Sequence, residues 1–206
     1  MNMKFITFEG GEGSGKTTII KMLTDELIKN GVDFIVSREP GGSKISEEIR
    51  NIILNVDNKE MDYMTEALLY AASRRQHLKE IVWPSIKEGK LVVCDRYLDS
   101  SLVYQGRARG LGVDRVYDIN MHATDGFLPD LTIYLDVTPE VGLGRIKSNN
   151  RDVNRLDLEK MAFHEDVRKG YLEIAERFNN RIVVVDANRD IAEVYSDVRG
   201  AIFSRL

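Results

Sequence analysis

The chain has 206 residues, of which 43% are apolar and 30% charged, and its net charge is −4. That describes a globular protein about one domain long, with enough chain to bury a substantial core. The balance gives no support for a nucleic-acid polymer or an anionic membrane as the main partner, so any anion site must be a local concentration of Arg and Lys. One cysteine, Cys94, lies in the apolar run LVVC and can form no disulfide within the chain, which fits a reducing, cytoplasmic compartment. The opening MNMKFITFEGG holds an apolar run too short for a signal peptide or a membrane span.

In chain order, KFITF (4–8) predicts a first strand and KTTIIKMLTDELIKN (16–30) a helix that stops at Gly31. DFIVS (33–37) predicts a second strand. Residues 64–88 predict a long helix, with Leu68, Leu69, Ala72, Leu78, Ile81 and Val82 as its apolar positions. LVVCD (91–95) is a third strand, and 102–125 predicts another long helix. LTIYLD (131–136) is a fourth strand, and Thr138-Pro139 opens the next helix. Helices over 157–179 and 190–206 flank a last strand, RIVVVD (181–186). The strands alternate little, as strands covered on both faces do. The expected fold is therefore α/β, a five-stranded parallel sheet with helices on both faces. No repeat, low-complexity tract or linker interrupts it, so residues 1–206 read as a single domain.

Gly10-x-x-x-x-Gly15-Lys16-Thr17, in GGEGSGKT, has the spacing of a phosphate-binding P-loop, with a strand before it and a helix after it. Backbone N–H groups of Gly10, Gly11, Glu12, Gly13, Ser14 and Gly15 can turn toward an anion at the positive end of the helix. Lys16 is placed for the β and γ phosphates of a nucleoside triphosphate, and the Thr17 hydroxyl for Mg²⁺. Asp95, ending the third strand, occupies the place of the second magnesium-associated carboxylate. Parallel sheets bind ligands beyond the carboxyl ends of their strands. Glu9–Thr17, Arg38–Gly42 and Asp95–Gln105 all lie there. Histidines 77, 122 and 164 lack metal-ligand spacing and read as surface or packing residues.

Together the segments FEGGEGSGKTT (8–18), REPGG (38–42), EEIR (47–50), ALLYAASRRQH (67–77), DRYLDSSLVYQG (95–106), LPDLTIYLDV (128–137), NRLD (154–157) and FHEDVRKGY (163–171) resemble the bacterial thymidylate kinases. The P-loop is widely shared; REPGG, AASRR and DRY…SS…YQG are more specific. VDRVYDINMHATDG (113–126) matches less well, and no role is carried onto it.

The resemblance implies a P-loop nucleotide kinase fold with a mobile lid, a homodimer, and transfer of phosphate from ATP to dTMP with Mg²⁺, giving dTDP and ADP for dTTP synthesis. It places Glu12 against the 3′-hydroxyl of dTMP, and Arg50 and Arg96 on the acceptor phosphate. Glu39 falls near the metal or that phosphate. Tyr70 stacks on thymine, Arg74 donates to a thymine carbonyl, Gln105 faces the ring N–H edge, and Ser101 adds a polar contact. Tyr104 lies against the 2′ carbon of the sugar. Residues 144–157 correspond to the lid, whose Arg151 and Arg155 stand in for a P-loop arginine that other members carry where this chain has Gly13. Arg75 remains an alternative to Arg74. The rival readings are a kinase for UMP or CMP, a non-catalytic nucleotide-binding module, and a GTPase switch. The last lacks an NKxD motif, since NKEM (58–61) fails at the Asp.

Overall fold

A computed structural model describes residues 3–148 and 159–206 of the chain. Strands β1 (Phe5–Glu9), β2 (Phe34–Arg38), β3 (Leu91–Asp95), β4 (Leu131–Asp136) and β5 (Ile182–Asp186) form one all-parallel sheet in the order β2-β3-β1-β4-β5. β1 sits at the centre with all five residues buried, whereas β2 and β5 are edge strands that leave Val36 and Val184 about half exposed. Full burial predicted from the apolar runs thus holds for the inner strands only, because an edge strand has fewer neighbours to cover it.

The pleat sends alternate side chains to opposite faces. Ile6 and Phe8 pack with Ile19, Leu23 and Leu27 of α1 (Lys16–Lys29) and Val194, Val198 and Ile202 of α9 (Ile191–Phe203). Phe5, Val92 and Cys94 point the other way, into a second core with Leu102, Val116, Val167 and Tyr171. The latter come from α6 (Val113–Thr124), α8 (Met161–Arg177) and a π-helical segment, Leu102–Ala108. Two of these four, Val167 and Tyr171, are on α8. α2 (Lys44–Leu54) and α3 (Tyr63–His77) pack together beyond the β2 edge.

Two predicted helices differ from the structure. The 64–88 helix is α3, a π-helical turn at Leu78–Val82, and α4 (Trp83–Lys87), whose second residue is Pro84. Residues 102–125 are not one helix. The short α5 (Leu98–Ser101) runs into the π-helical segment, the chain turns through Gly110 and Gly112 at positive φ, and α6 starts at Val113. α7 (Pro139–Ser148) does begin at the proline. Among the described residues, no helix is long and apolar enough to cross a membrane.

Register brings the strand ends level. Asp95 lies beside Phe8 of β1 and beside Arg38 of β2. Arg96 N–H donates to the Phe8 carbonyl (2.9 Å) and Glu39 N–H to the Asp95 carbonyl (2.9 Å). The three loops that leave these strands therefore start from one shelf.

Candidate active site

A cavity of about 660 Å³ opens above that shelf. Its middle is the P-loop. Gly15, at φ +90°, caps α1 without any side-chain bond, so the first-turn N–H groups face outward as an anion site does. Lys16 Nζ is folded back onto the loop, donating to the carbonyls of Gly10 (3.1 Å) and Gly11 (3.3 Å) and to Ser14 Oγ (3.3 Å). Burial, and then the nearby Arg96 cation, pull its pKa below the usual lysine value. Thr17 and Thr18 are exposed on the cavity wall.

Gly13 has φ +69°, and a Cβ there would stand 2.0 Å from the carbonyl oxygen of Gly142 on α7. The approach is reciprocal, since a Cβ on Gly142 would stand 2.2 Å from the Glu12 carbonyl oxygen. Loop and helix meet backbone to backbone, and a long side chain at position 13 has no room.

The segment after β3 is clamped from below. Glu9 is fully buried, and its carboxylate accepts from the N–H groups of Tyr97 (2.8 Å) and Ser100 (3.2 Å), from Ser100 Oγ (2.6 Å) and from the Tyr171 hydroxyl (2.9 Å). Burial and the Asp99 charge push its pKa up to about 6. Arg96, at φ +71°, holds a left-handed conformation that costs a non-glycine residue roughly 1–3 kcal/mol. Its guanidinium is fixed by Glu12 (2.6 Å), Ser100 Oγ (3.2 Å) and Tyr171 OH (3.2 Å), over the Tyr104 ring at 5.3 Å. The Tyr104 hydroxyl reaches Glu12 Oε1 at 3.5 Å.

On the β2 side, Arg50 is half-buried, donates to the Pro40 carbonyl (2.8 Å) and lines the cavity. Burial and the Arg38 cation lower its pKa. Arg38 is held by both carboxylate oxygens of Glu47 (2.6 and 3.1 Å). Glu39 is buried, with one oxygen on Arg74 Nε (2.7 Å) and the other on His77 Nδ1 (2.9 Å). His77 Nε2 meets Ser37 Oγ at 2.6 Å. His77 is thus a buried link between β2 and α3, a more specific place than surface or packing. His164 is also buried and His122 exposed.

Arg74 is 1% exposed, yet it forms part of the cavity wall. Besides Glu39 it donates to Ser101 Oγ (3.2 Å), the Tyr97 carbonyl (2.9 Å) and Asn120 Oδ1. Four acceptors against five N–H groups leave one N–H for a ligand. Arg75 points away, pairing with Asp125 (2.5 Å) over the Trp83 ring. Tyr70 and Gln105 complete this end of the cavity, while Ser101 sits behind Arg74 and outside the lining. The far end is formed by Arg145, Ile146, Ala187, Arg189, Ile191 and Val194. Arg145 bridges this end to the P-loop, donating to the Ala187 carbonyl at 3.1 Å and to the Gly13 carbonyl at 3.5 Å. Arg151 and Arg155 lie outside the described residues.

Two features bear on a metal. Asp95 lines the cavity near Lys16 and Thr17, and its Oδ1 is a buried acceptor with no hydrogen-bond partner among the described residues. No cluster of three or more His, Cys, Asp or Glu side chains able to hold a metal occurs among the described residues.

Several contributors carried no role in the sequence reading. Glu9, Ser100 and Tyr171 stood in quoted motifs, but their meeting depends on β1, α5 and α8 converging. Asn120 fell in the stretch from which nothing was carried over. A signal was there, since Val116, Asn120 and Thr124 recur every four residues on the buried side of α6.

A family model described as thymidylate kinase matches residues 8–198. The chain is 59% identical over 197 residues to the thymidylate kinase of Clostridium novyi (strain NT), covering 95% of this chain and 96% of that one. It is 54% identical over 207 residues to that of Geobacillus sp. (strain WCH70), covering 100% and 99%. With that of Anoxybacillus flavithermus (strain DSM 21510 / WK1) it shares 56% identity over 199 residues, covering 96% and 95%. Agreement over nearly the whole length, together with a P-loop and Asp95-Arg96 on the wall of one cavity, leads to one conclusion: the chain belongs to the thymidylate kinase family.

Proposed function

We propose that the protein, acting as one domain over residues 1–206, transfers the γ-phosphoryl group of ATP to dTMP, giving dTDP and ADP. The observation that carries this reading is the continuity of one cavity. It runs from the Arg145–Val194 end, across the P-loop, past Arg96, Glu12 and Arg50, to Tyr70, Arg74 and Gln105. The donor's adenine occupies the first end, where Arg189 and Ile191 offer a cationic and an apolar face. Its phosphates lie on the α1 N-terminus and Lys16. The acceptor phosphate meets Arg96 and Arg50, whose planar forks suit phosphate oxygens. Glu12 and Tyr104 face the deoxyribose. Tyr70 stacks on the base and Arg74 donates to its carbonyl.

No general base is needed, because a nucleoside monophosphate has a second pKa near 6 and is mostly dianionic at neutral pH. Rate enhancement then comes from alignment and from offsetting the repulsion of two anions. Arg96 is well placed for this because four neighbours fix it before substrate arrives. Asp95 and Thr17 would hold Mg²⁺, the remaining ligands coming from phosphates and water, and the cation would neutralise charge on the transferring phosphoryl group. The orphaned Oδ1 of Asp95 supports that assignment. Arg151 and Arg155 remain part of the proposal as further cations from the lid segment.

The enzyme works in the cytoplasm as a homodimer. Ile45 and Ile52 of α2, Val56, and Tyr63 and Leu68 of α3 are large apolar side chains that stay well exposed on one helical layer, as an interface requires. Sedimentation giving a monomer at micromolar concentration would remove that part of the reading. The activity is tested by ADP release with dTMP, dUMP, UMP, CMP and AMP in turn. Turnover with dTMP well above the rest supports the proposal; equal turnover with UMP or CMP, or none with any of them, refutes it.

A further inference from the structure

The end of the cavity that would take the base has a polar group behind it that lies outside the lining. Glu66, Tyr70 and Arg74 recur every four residues on one face of α3, the face turned inward. Glu66 is 0% exposed and does not line the cavity. A carboxylate in the first turn of a helix is ordinarily a solvated charge. Here Oε1 accepts from Gln105 Nε2 at 2.8 Å, and the Arg109 guanidinium lies 3.6 Å from the same oxygen. Arg109 is itself held between the rings of Tyr63 and Phe163 and pairs with Glu159 (2.7 Å).

A primary amide such as Gln105 can present either its N–H₂ or its oxygen to a ligand, and the two ends have nearly the same shape. Which end faces the cavity decides which base edge fits. Glu66 Oε1, beside the Arg109 cation, is the acceptor of this bond, and an oxygen that faces a cation offers its lone pairs. The Gln105 N–H₂ must therefore turn back toward Glu66, which leaves Oε1 to the cavity as an acceptor. An acceptor there matches a pyrimidine whose N3 carries hydrogen, as in thymine and uracil. It opposes the bare N3 of cytosine, where two lone pairs would meet.

We propose that Glu66 is a positioning residue for base specificity: by locking the Gln105 amide it selects pyrimidines with a donor at N3 over those with an acceptor there. This rests on the assignment of Tyr70, Arg74 and Gln105 to the acceptor base.

The test compares kcat/KM for dTMP and dCMP in Glu66→Gln, Gln105→Ala and the exchanged pair Glu66→Gln/Gln105→Glu. In Glu66→Gln the two amides can pair in either sense, so the dTMP-to-dCMP preference is expected to fall by about tenfold or more through KM for the monophosphate, with KM for ATP unchanged. The exchanged pair again presents an acceptor to the base and donates to it from position 66, so it restores the preference. A structural role alone would leave the preference as it was and move KM for ATP or the melting temperature instead. If Gln105→Ala loses the preference but Glu66→Gln keeps it, the positioning role is wrong while the base site stands. If neither variant changes it, the base-site assignment fails and this inference with it. Neutron diffraction on the unaltered protein needs no variant: amide deuterons on the Glu66 side support the proposal, and deuterons on the cavity side overturn it.

Discussion

Arg96 Nη2 and Glu12 Oε1 lie 2.6 Å apart, joining the P-loop to the segment after β3 across the floor of the cavity. Both side chains are mostly buried, so the pair is more than a solvent-screened surface contact. The acid in the P-loop therefore has the Arg96 cation as one partner, and the proposed reading gives it the sugar hydroxyl of the acceptor as a second.

Glu12→Gln keeps an acceptor but loses the charge, and a charged hydrogen bond is worth roughly 1.5–3 kcal/mol. KM for dTMP is expected to rise about tenfold or more, with KM for ATP little changed. Glu12→Ala also releases Arg96, so kcat should fall as well. Steady-state kinetics with each substrate varied in turn decides the matter; equal rises in both KM values would move Glu12 off the acceptor sugar.

Tyr104 is buried beneath Arg96, with its ring edge-on to Tyr171 at 6.3 Å and its hydroxyl toward Glu12. It cannot swing aside without breaking these contacts, which is what a steric gate at the 2′ carbon requires. Tyr104→Ala is expected to narrow the preference for dUMP over UMP by about tenfold, on the scale of one small-group discrimination. An unchanged ratio of kcat/KM between these two nucleotides would place the gate elsewhere.

Gly142→Ala puts a methyl group 2.2 Å from the Glu12 carbonyl oxygen, a backbone atom that no side-chain rotation can move aside. Relief requires α7 to move away from the P-loop, at a cost typical of overpacking, about 1–3 kcal/mol. Thermal unfolding should show the loss, and under the proposed seating of the ATP phosphates KM for ATP should rise because the P-loop is displaced. Gly144→Ala, two residues on with nothing within 4 Å, is the matched control and should leave stability nearly unchanged.

Glu9 carries a pH dependence of definite sign. Its pKa in the folded chain is about 6 against an ordinary 4.5, so the folded state holds the proton more tightly. The stabilisation this provides is complete below pH 4.5 and is lost as pH rises through 6. The difference corresponds to roughly 2 kcal/mol. Denaturant titrations of the unaltered protein and of Glu9→Gln, which stays neutral, are expected to diverge over this window. Stability relative to the variant should decrease from pH 4.5 to 7. Parallel curves would contradict the assignment.

Short-range patterns were enough to read much of this molecule from its residues. Strand runs such as LVVCD and LTIYLD coincide with β3 and β4 because an apolar run with β-branched residues between turn signals has few alternatives. The P-loop pattern was legible for the same reason, since Gly10–Thr17 are neighbours along the chain and its expected flanks are β1 and α1; the partners of Arg96, Glu12 and Tyr171, are 84 and 75 residues away and were not. The break between 102 and 125 had a local signal that the reading passed over, Gly110 and Gly112, both at positive φ, whereas the π-helical form of Leu102–Ala108 has no signature in its apolar spacing. What tertiary structure alone decided is which polar groups face one another in the dark of the core. Glu66 and Gln105, Glu9 and Tyr171, and Arg74 and Asn120 are 39, 162 and 46 residues apart. No local periodicity encodes such pairs. They exist because a buried polar group must find a partner, and the fold determines which one is within reach.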